Sequence, residues 1–395
     1  MSRGDLVLVL NCGSSSVKLA LVDAGSGERR LTGLAERVGS SDTAVRVRRG
    51  GDEERSTPED TSPRGALIHL MGALSEGERT DLVGVGHRVV HGGDRFSASV
   101  AVDDQTLADL HALTDLAPLH MPANLLGIET AREQLAGLVQ VAVFDTAFHQ
   151  TMPPVAYRYA VPADWYEEHH VRRYGFHGTS HRYVSARASE LLDRPAADLR
   201  LVTLHLGNGC SAAAVRGGES VDTTMGLTPL EGLVMGTRSG DVDPGLLGYV
   251  GERLGLDLDG VIELLNTRSG LLGLSGLSND MRTVCEAAAA GSDAARLAVD
   301  VFCYRAAKAV GSLAVALGGL DAVVFTGGIG EHSEEVRRGV LAHLGVLGLA
   351  EDPAANADDG RHTDGRVSAP GRVTALVVPT DEELVIARDT VELAR

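Results

Sequence analysis

Two similar hairpin-like segments lie half a chain apart, and this repetition constrains the fold more than any other feature of the sequence. In the first, apolar residues 6–10 and 17–22 flank a turn of Asn, Cys, Gly and Ser, and in the second, residues 201–206 and 212–215 flank Gly207-Asn208-Gly209. Short apolar runs on either side of such residues are typical of a β-hairpin. Repetition at half of 395 residues predicts two similar domains.

The two turns also suggest what lies between those domains. A tight turn can aim several backbone N–H groups at one anion, and small-molecule sites concentrate between domains. Two such turns facing each other would hold a polyphosphate from both sides. Neither turn has the Walker A spacing, and no G-x-G-x-x-G follows a strand, so the P-loop and Rossmann interpretations lose their main support.

Composition excludes several classes of protein. A formal charge of −18 disfavours nucleic-acid partners, so local arginines must capture any anionic substrate. The sequence has no run of about 18 apolar residues and no signal-peptide core, so we expect no membrane association. Its four cysteines form no C-x-x-C pair, which favours a reducing, cytoplasmic location.

Apolar runs typical of strands recur along the chain and alternate with helical patterns. Strands are predicted at 82–85, 139–144, 322–326 and 373–378, and helices at 125–135, 294–317 and 335–344. The polar stretch 39–64 is interpreted as strands and loops projecting from the core. This alternation predicts an α/β fold.

Candidate catalytic residues follow the predicted strands of the first half. Arg88 lies among glycines and histidines, where it would bind a carboxylate or phosphate bidentately or pair with a structural acid. Asp145 ends the strand 139–144, which makes it a site candidate or a helix cap. His120 lies in a proline-framed turn, where a structural role is the alternative.

The second half carries four further motifs. His177 and His181 flank Gly178, which argues against a helix through the pair and leaves a zinc site without further ligands. Arg238 lies in a long glycine-rich loop, where it can face transferring charge. The segment 323–332 is predicted as a strand, a glycine turn and a helix, and the acidic cluster 381–383 as a helix cap or a Mg²⁺ ligand.

Taken in order, these motifs resemble the acetate kinase family of the acetate and sugar kinase, Hsp70 and actin superfamily. The resemblance runs from Asn11 to Glu383. It implies duplicated ribonuclease-H-like (actin-like ATPase) domains with a central cleft: an N-terminal domain at 1–148, onto which the tail 383–395 packs, and a nucleotide-binding and dimerisation domain at 149–382. It also implies a homodimer that transfers a phosphoryl group between ATP and acetate, with Mg²⁺ or Mn²⁺, to give ADP and acetyl phosphate.

The resemblance also assigns residues to roles. Asn11 and Glu382 correspond to metal-binding positions, and Arg88, Asp145, His177 and Arg238 to catalytic positions. The acyl-binding positions are Arg88, Val90, Leu119, His120, Phe176 and Pro229. The nucleotide positions are Ser14, Ser16, Lys18, His205, Leu206, Gly207, Asn208, Gly209, Asp280, Met281, Arg282, Gly328, Ile329, Gly330, Glu331 and His332. Met121 departs from the family pattern, because it replaces an asparagine after His120.

The implied chemistry restricts the role of the central acid. A carboxylic acid with a pKa near 4 is ionised at neutral pH, so acetate needs no general base. Asp145 is therefore predicted to orient Arg88, or the metal and its waters.

Two rival functions remain. A propionate or other short-chain carboxylate kinase would share every motif and differ in its acyl pocket. A nucleotide-dependent scaffold of the actin or Hsp70 kind would lack Arg88, Arg238 and His177 as a set, so their joint presence argues against it.

Overall fold

The computed structural model describes residues 5–395, which form two compact units. Unit 1 contains the residues up to Phe148 together with Asp381–Arg395, and unit 2 contains His149–Thr380. Within residues 5–395, no helix has both the length and the apolar character needed to cross a membrane.

The strands of unit 1 are β1 Leu6–Cys12, β2 Ser16–Asp23, β3 Arg29–Glu36, β4 Ala44–Arg49, β5 Asp52–Ser56, β6 Leu82–Val89, β7 Val100–Ala101 and β8 Val139–Phe144. Those of unit 2 are β9 Arg200–Leu206, β10 Cys210–Arg216, β11 Glu219–Thr223, β12 Ala322–Thr326 and β13 Thr374–Val377.

The α-helices, in chain order, are α1 Pro63–Met71, α2 Glu76–Asp81, α3 Asp104–Ala112, α4 Met121–Gln134, α5 Pro154–Tyr157, α6 Ala163–His169, α7 Gly178–Leu191, α8 Gly245–Leu254, α9 Leu258–Thr267, α10 Gly270–Ser275, α11 Met281–Ala289, α12 Asp293–Leu317, α13 Gly327–His332, α14 Glu334–His343, α15 Pro353–Ala357 and α16 Glu382–Ala394. Short 3-10 turns occupy Thr114–Leu116, Ala147–Thr151, Ala196–Asp198 and Leu344–Leu347.

The two sheets share the order of five strands. The first sheet runs β5-β4-β3-β2-β1-β6-β8-β7, and the second runs β11-β10-β9-β12-β13. In each sheet an antiparallel three-stranded meander is followed by two strands parallel to its first strand. The segment β3-β2-β1-β6-β8 therefore has the order of the whole second sheet. This duplicated mixed-sheet α/β fold is the one predicted.

The predicted hairpins are confirmed, and β1 shows why they form. Its alternate side chains belong to two different cores. Leu6, Leu8 and Leu10 belong to a cluster that includes residues of α1 and α4, whereas Val7 and Val9 belong to one that includes residues of α16. A strand that is buried on both faces needs a continuous apolar run, which is the pattern of residues 6–10.

Helix α16 closes one face of unit 1 by a close approach to β6. A Cβ atom on Gly86 would lie 2.5 Å from Cγ2 of Ile386, closer than real contacts allow. The glycine therefore lets α16 lie directly on the strand.

The prediction against a helix at Gly178 is wrong. Helix α7 begins at Gly178, and the backbone N–H of His181 donates to the carbonyl of His177 at 3.0 Å. His177 itself is the N-cap residue, in the left-handed conformation with a φ of 56°. A glycine in the first turn is tolerated because the cap, rather than the helix interior, takes the unusual backbone angles.

Candidate active site

In unit 1, Arg88 and Asp145 form a bidentate ion pair. Arg88 lies near the end of β6, and Asp145 directly follows the parallel strand β8, with its N–H donating to Val89 at 3.0 Å. Nε and Nη2 of Arg88 donate to the two carboxylate oxygens at 2.9 and 2.8 Å. The Asp145 side chain is 3% exposed and that of Arg88 24%. The attraction of Asp145 raises the pKa of Arg88, against the effect of burial, so the guanidinium stays charged and oriented.

The acidic cluster at the start of α16 divides its roles among three residues. Asp381 is the helix cap and accepts a hydrogen bond from the N–H of Leu384 at 3.0 Å. Glu382 has Oε2 3.9 Å from Nε of Arg88. Glu383 instead pairs with Arg29 at 2.7 Å. The cap interpretation is therefore correct for Asp381, while Glu382 lies beside the Arg88–Asp145 pair.

The first hairpin presents its candidate residues at one end. Asn11 and Lys18 are direct cross-strand partners, so their side chains lie on the same face. The turn is closed by the N–H of Gly13, which donates to Ser16 at 2.8 Å, and Ser14 and Lys18 are exposed. In residues 5–395, no three His, Cys, Asp or Glu side chains converge as metal ligands.

Asn124 is a site-supporting residue that the sequence analysis missed. Its buried amide donates to the carbonyl of Cys12 at 2.7 Å and accepts from the N–H of Val90 at 3.0 Å. It thereby joins the end of β1 to the backbone just after β6. The available sequence signal was a polar residue between Pro122 and the apolar residues that begin at Leu125. Met121, the departure from the family pattern, packs into the apolar core beside Phe144.

The candidate acyl-binding residues differ in exposure. Val90 packs against the apolar cluster around Phe144, and His120 lies half-buried before α4. Leu119 is 74% exposed, so within unit 1 its side chain lines no enclosed surface. In unit 2, Phe176 is buried and Pro229 half-buried.

In unit 2, the second hairpin turn lies against two histidines and an arginine. A Cβ on Gly209 would lie 2.7 Å from Nη2 of Arg238 and 3.3 Å from Nε2 of His177, so both side chains lie directly against the turn backbone. The rings of His177 and His205 stack with centroids 4.3 Å apart. Three predicted candidates, distant in sequence, therefore meet at this turn.

Arg238 is a cation that no carboxylate in the described part of the chain neutralises. Its Nη1 donates to the carbonyl of Pro229 at 2.6 Å. Among residues 5–395, no carboxylate forms an ion pair with it, although the side chain is half-buried. Burial lowers the pKa of Arg238 from its ordinary value. A half-buried guanidinium without a counter-ion is suited to an anionic ligand.

A cleft of about 660 Å³ opens beside the same turn. Its lining includes the predicted nucleotide residues Gly207, Asn208, Asp280, Met281, Arg282, Gly328, Ile329 and His332. Leu206 and Gly330 are buried. Glu331 points to the protein interior, where its Oε1 accepts from the N–H groups of Gly327 and Thr380 at 2.9 and 3.1 Å.

The duplicated sheet order and the cationic side chains beside the glycine turn are features expected of a phosphotransferase. A family model described as the acetokinase family matches residues 6–388. The chain belongs to the acetokinase family.

The chain is similar over nearly its whole length to named relatives. An acetate kinase of Deinococcus radiodurans is 57% identical over 384 residues, which cover 97% of this chain and 96% of that protein. The crystal structure of Porphyromonas gingivalis acetate kinase has a TM-score of 0.92 at 43% identity, covering 99% of this chain and 100% of that one. A propionate kinase structure from Francisella tularensis also has a TM-score of 0.92, at 42% identity and 98% coverage of each chain.

Proposed function

We propose that this protein reversibly transfers the γ-phosphoryl group of ATP to acetate, giving ADP and acetyl phosphate. The observation that carries the proposal is Arg238, a half-buried cation without a carboxylate partner in the described chain, beside a glycine turn and His177. Membership of the acetokinase family supports acetate as the acceptor. Similarity to a propionate kinase structure makes propionate the second candidate.

Catalysis rests on charge and position. Phosphoryl transfer passes through a loose transition state with charge on the equatorial oxygens, so the protein must supply positive charge at fixed positions. Arg88 and Arg238 are the two guanidinium groups that we assign to the acetate and to the transferring group, and His177 assists Arg238. Asp145 holds Arg88 through two hydrogen bonds and removes no proton, because acetate is already ionised at neutral pH.

The cleft of unit 2 is the proposed nucleotide site. Asn208, Asp280, Met281, Arg282 and Ile329 line it, and the open backbone of Gly207 and Gly209 lies at its edge, beside Arg238. Glycines at such a turn let phosphate oxygens approach backbone N–H groups closely. We therefore place the base and ribose in the cleft and the phosphates at the turn.

Asn11 and Glu382 would hold Mg²⁺, with Mn²⁺ as an alternative. An amide oxygen and a carboxylate suit a cation that usually keeps several waters and takes one or two protein carboxylates, so these donors fit. When bound, the metal neutralises charge on the nucleotide phosphates.

The exposed apolar side chains of unit 2 support the proposed homodimer. Tyr249, Leu254, Leu258 and Leu277 are each more than half exposed on or beside α8 to α10. Burying them against a second copy would remove apolar surface from water. A cytoplasmic location is proposed from the reduced cysteines, of which Cys12, Cys210 and Cys303 are buried and unpaired.

A hydroxamate assay of acyl phosphate formation tests the function. Purified protein, ATP and Mg²⁺ are incubated in turn with acetate, propionate and butyrate, and we expect kcat/KM to fall in that order. A higher value for propionate than for acetate would make the second candidate correct. Absence of acyl phosphate from all three acids would contradict the proposal.

Substrate choice should depend on Val90. Its side chain follows Arg88 by two residues and is half-buried against the cluster around Phe144. Val90→Ala should raise kcat/KM for propionate relative to acetate by about tenfold, the scale of one methylene in an apolar pocket. Val100→Ala makes the same change elsewhere on the same cluster and should leave the ratio unaltered. An unchanged ratio in Val90→Ala would remove Val90 from the acyl pocket.

The metal requirement should depend on Glu382. Glu382→Gln keeps the shape of the side chain and removes its charge, so the Mg²⁺ concentration for half-maximal rate should rise by about tenfold, with recovery at high metal. Glu383→Gln is the matched control, because Glu383 pairs with Arg29 instead. Lower activity with an unaltered Mg²⁺ dependence would place Glu382 outside the metal site.

A further inference from the structure

A chain of side-chain hydrogen bonds runs from His177 into the interior of unit 2. Nδ1 of His177 lies 2.8 Å from the hydroxyl of Ser211, and the same hydroxyl lies 2.8 Å from Nε2 of His181. Nδ1 of His181 lies 2.7 Å from the hydroxyl of Thr203. Ser211, His181 and Thr203 are all fully buried. Nothing in the catalytic scheme above uses these three residues.

The fold explains why they meet. Thr203 pairs with Ala213 across β9 and β10, and Ser211 pairs with His205. Residues two apart in a strand share a face, so both hydroxyls lie on the same face of the sheet. His181 contacts both hydroxyls from the first turn of α7, one turn after His177.

The number of protons on each side chain decides which group donates in each of these hydrogen bonds. The Thr203 hydroxyl has one proton and reaches the carbonyl of Ala213 at 3.4 Å, so it accepts from Nδ1–H of His181. Burial lowers the pKa of His181 well below its ordinary value, so the ring is neutral and its Nε2 is an acceptor. Ser211 therefore donates to His181, and its oxygen accepts from Nδ1–H of His177. This direction satisfies all four contacts.

We propose that Ser211, His181 and Thr203 are positioning residues that fix Nδ1 of His177 as a hydrogen-bond donor and hold Nε2 toward the Gly209 turn. The role is an addition to the proposed phosphoryl transfer and rests on it. A ring whose Nδ1–H is already bonded to Ser211 presents Nε2 to the turn, and Nε2 is then the nitrogen that can take up a further proton and donate to an anion. Fixing the ring in advance also removes the cost of orienting it during transfer.

The tautomer of the His177 ring can be measured by NMR without any assay of activity. We label the protein with ¹⁵N-histidine, assign the His177 signals by their loss in His177→Gln, and record long-range ¹H–¹⁵N spectra at a pH where the His177 ring is neutral. We expect the proton on Nδ1 of His177 in the wild type, and a mixture of both tautomers in Ser211→Ala. A neutral His177 with its proton on Nε2 would overturn the proposal.

Kinetics test the positioning role with a matched pair of variants. Thr203→Val keeps the shape of threonine and removes the hydroxyl, whereas Thr203→Ser keeps the hydroxyl. We expect kcat to fall about tenfold in Thr203→Val and in Ser211→Ala, the scale of one buried hydrogen bond, with KM for acetate within about twofold. Thr203→Ser should retain nearly full kcat. Equal kcat in the two Thr203 variants would contradict the proposal.

A second buried serine provides the control. Ser368 is buried like Ser211, and its hydroxyl accepts a hydrogen bond from the N–H of Ala375 at 2.9 Å. Ser368→Ala therefore removes a buried serine hydrogen bond outside the chain to His177, and its kcat should change by less than about twofold. If the control variant lost as much kcat as Ser211→Ala, the loss would reflect a general effect of removing a buried serine hydroxyl. If the wild type formed no acyl phosphate, the proposed function would fail, while the NMR result would still decide the tautomer.

Discussion

Replacing Arg238 with alanine should lower kcat for acyl phosphate formation by about 10²- to 10³-fold, the scale of removing one preorganised donor to transition-state charge. The guanidinium is held by the carbonyl of Pro229 at 2.6 Å and lies against Gly209 and Nε2 of His177. Because no carboxylate in the described chain pairs with it, its removal leaves no buried negative charge. The free energy of unfolding should therefore change little.

Steady-state kinetics and urea unfolding of Arg238→Ala check both parts of this expectation. Arg216→Ala is the matched control, because Arg216 lies exposed at the end of β10 in the same unit. It should behave as the wild type in both measurements. If Arg238→Ala turned over nearly as fast as the control, Arg238 would have no part in the transfer.

Replacing Arg88 with alanine should cost both activity and stability. We expect kcat to fall by about 10²- to 10³-fold, as for Arg238. In addition, the Asp145 carboxylate, whose side chain is 3% exposed, would lose its bidentate partner. Breaking a buried pair by removing one member costs about 3 to 5 kcal/mol, and the lower figure suits Arg88 because it is 24% exposed.

The double variant Arg88→Ala/Asp145→Ala separates the two effects. Removing both charges should restore much of the free energy of unfolding lost in Arg88→Ala, because the buried Asp145 carboxylate that lost its bidentate partner is no longer present. Activity should stay low. Recovery of activity in the double variant would mean that Arg88 serves only to neutralise Asp145.

The sequence contained enough information to predict the strands and helices named below, because the signals for them are local. The apolar run of β1 and the turn that follows it specify a hairpin, and the same holds for β9 and β10. The helices predicted at 125–135, 294–317 and 335–344 coincide with α4, α12 and α14 within a few residues. Each of these predictions depends on residues less than about 25 positions apart.

The local sequence signals could not predict contacts between residues that lie far apart in the chain. Arg88 and Asp145 were each placed at a strand end, but their ion pair follows from the parallel register that sets Arg88 beside Val143. The meeting of Arg238, His177 and Gly209 depends in the same way on how β9, β10 and a long loop fold together. The roles assigned by resemblance stay predictions, and for Leu119 the exposed side chain gives no support within its own unit.

Backbone conformation explains the error at Gly178. The rule that glycine disfavours helices applies to the helix interior, where the entropy cost is full. Here the chain enters the helix through His177 in a left-handed conformation, and Gly178 occupies the first helical position. Histidine is among the residues enriched at positive φ angles, but a single sequence does not indicate which histidine will adopt one.

The placement of α16 sets the order in which the two units can form during synthesis. Its residues Ile386, Ala387 and Val391 cover the face of the first sheet that also contains Val7, Val9 and Val141. These residues are synthesised only after all of unit 2, whose chain is continuous from His149 to Thr380. Nearly all of unit 2 is therefore synthesised while that face of unit 1 stays uncovered, since only the last strand of unit 2, β13, comes shortly before α16. Unit 1, although first in the sequence, is the last to finish folding and has the longer exposure to aggregation and to chaperones.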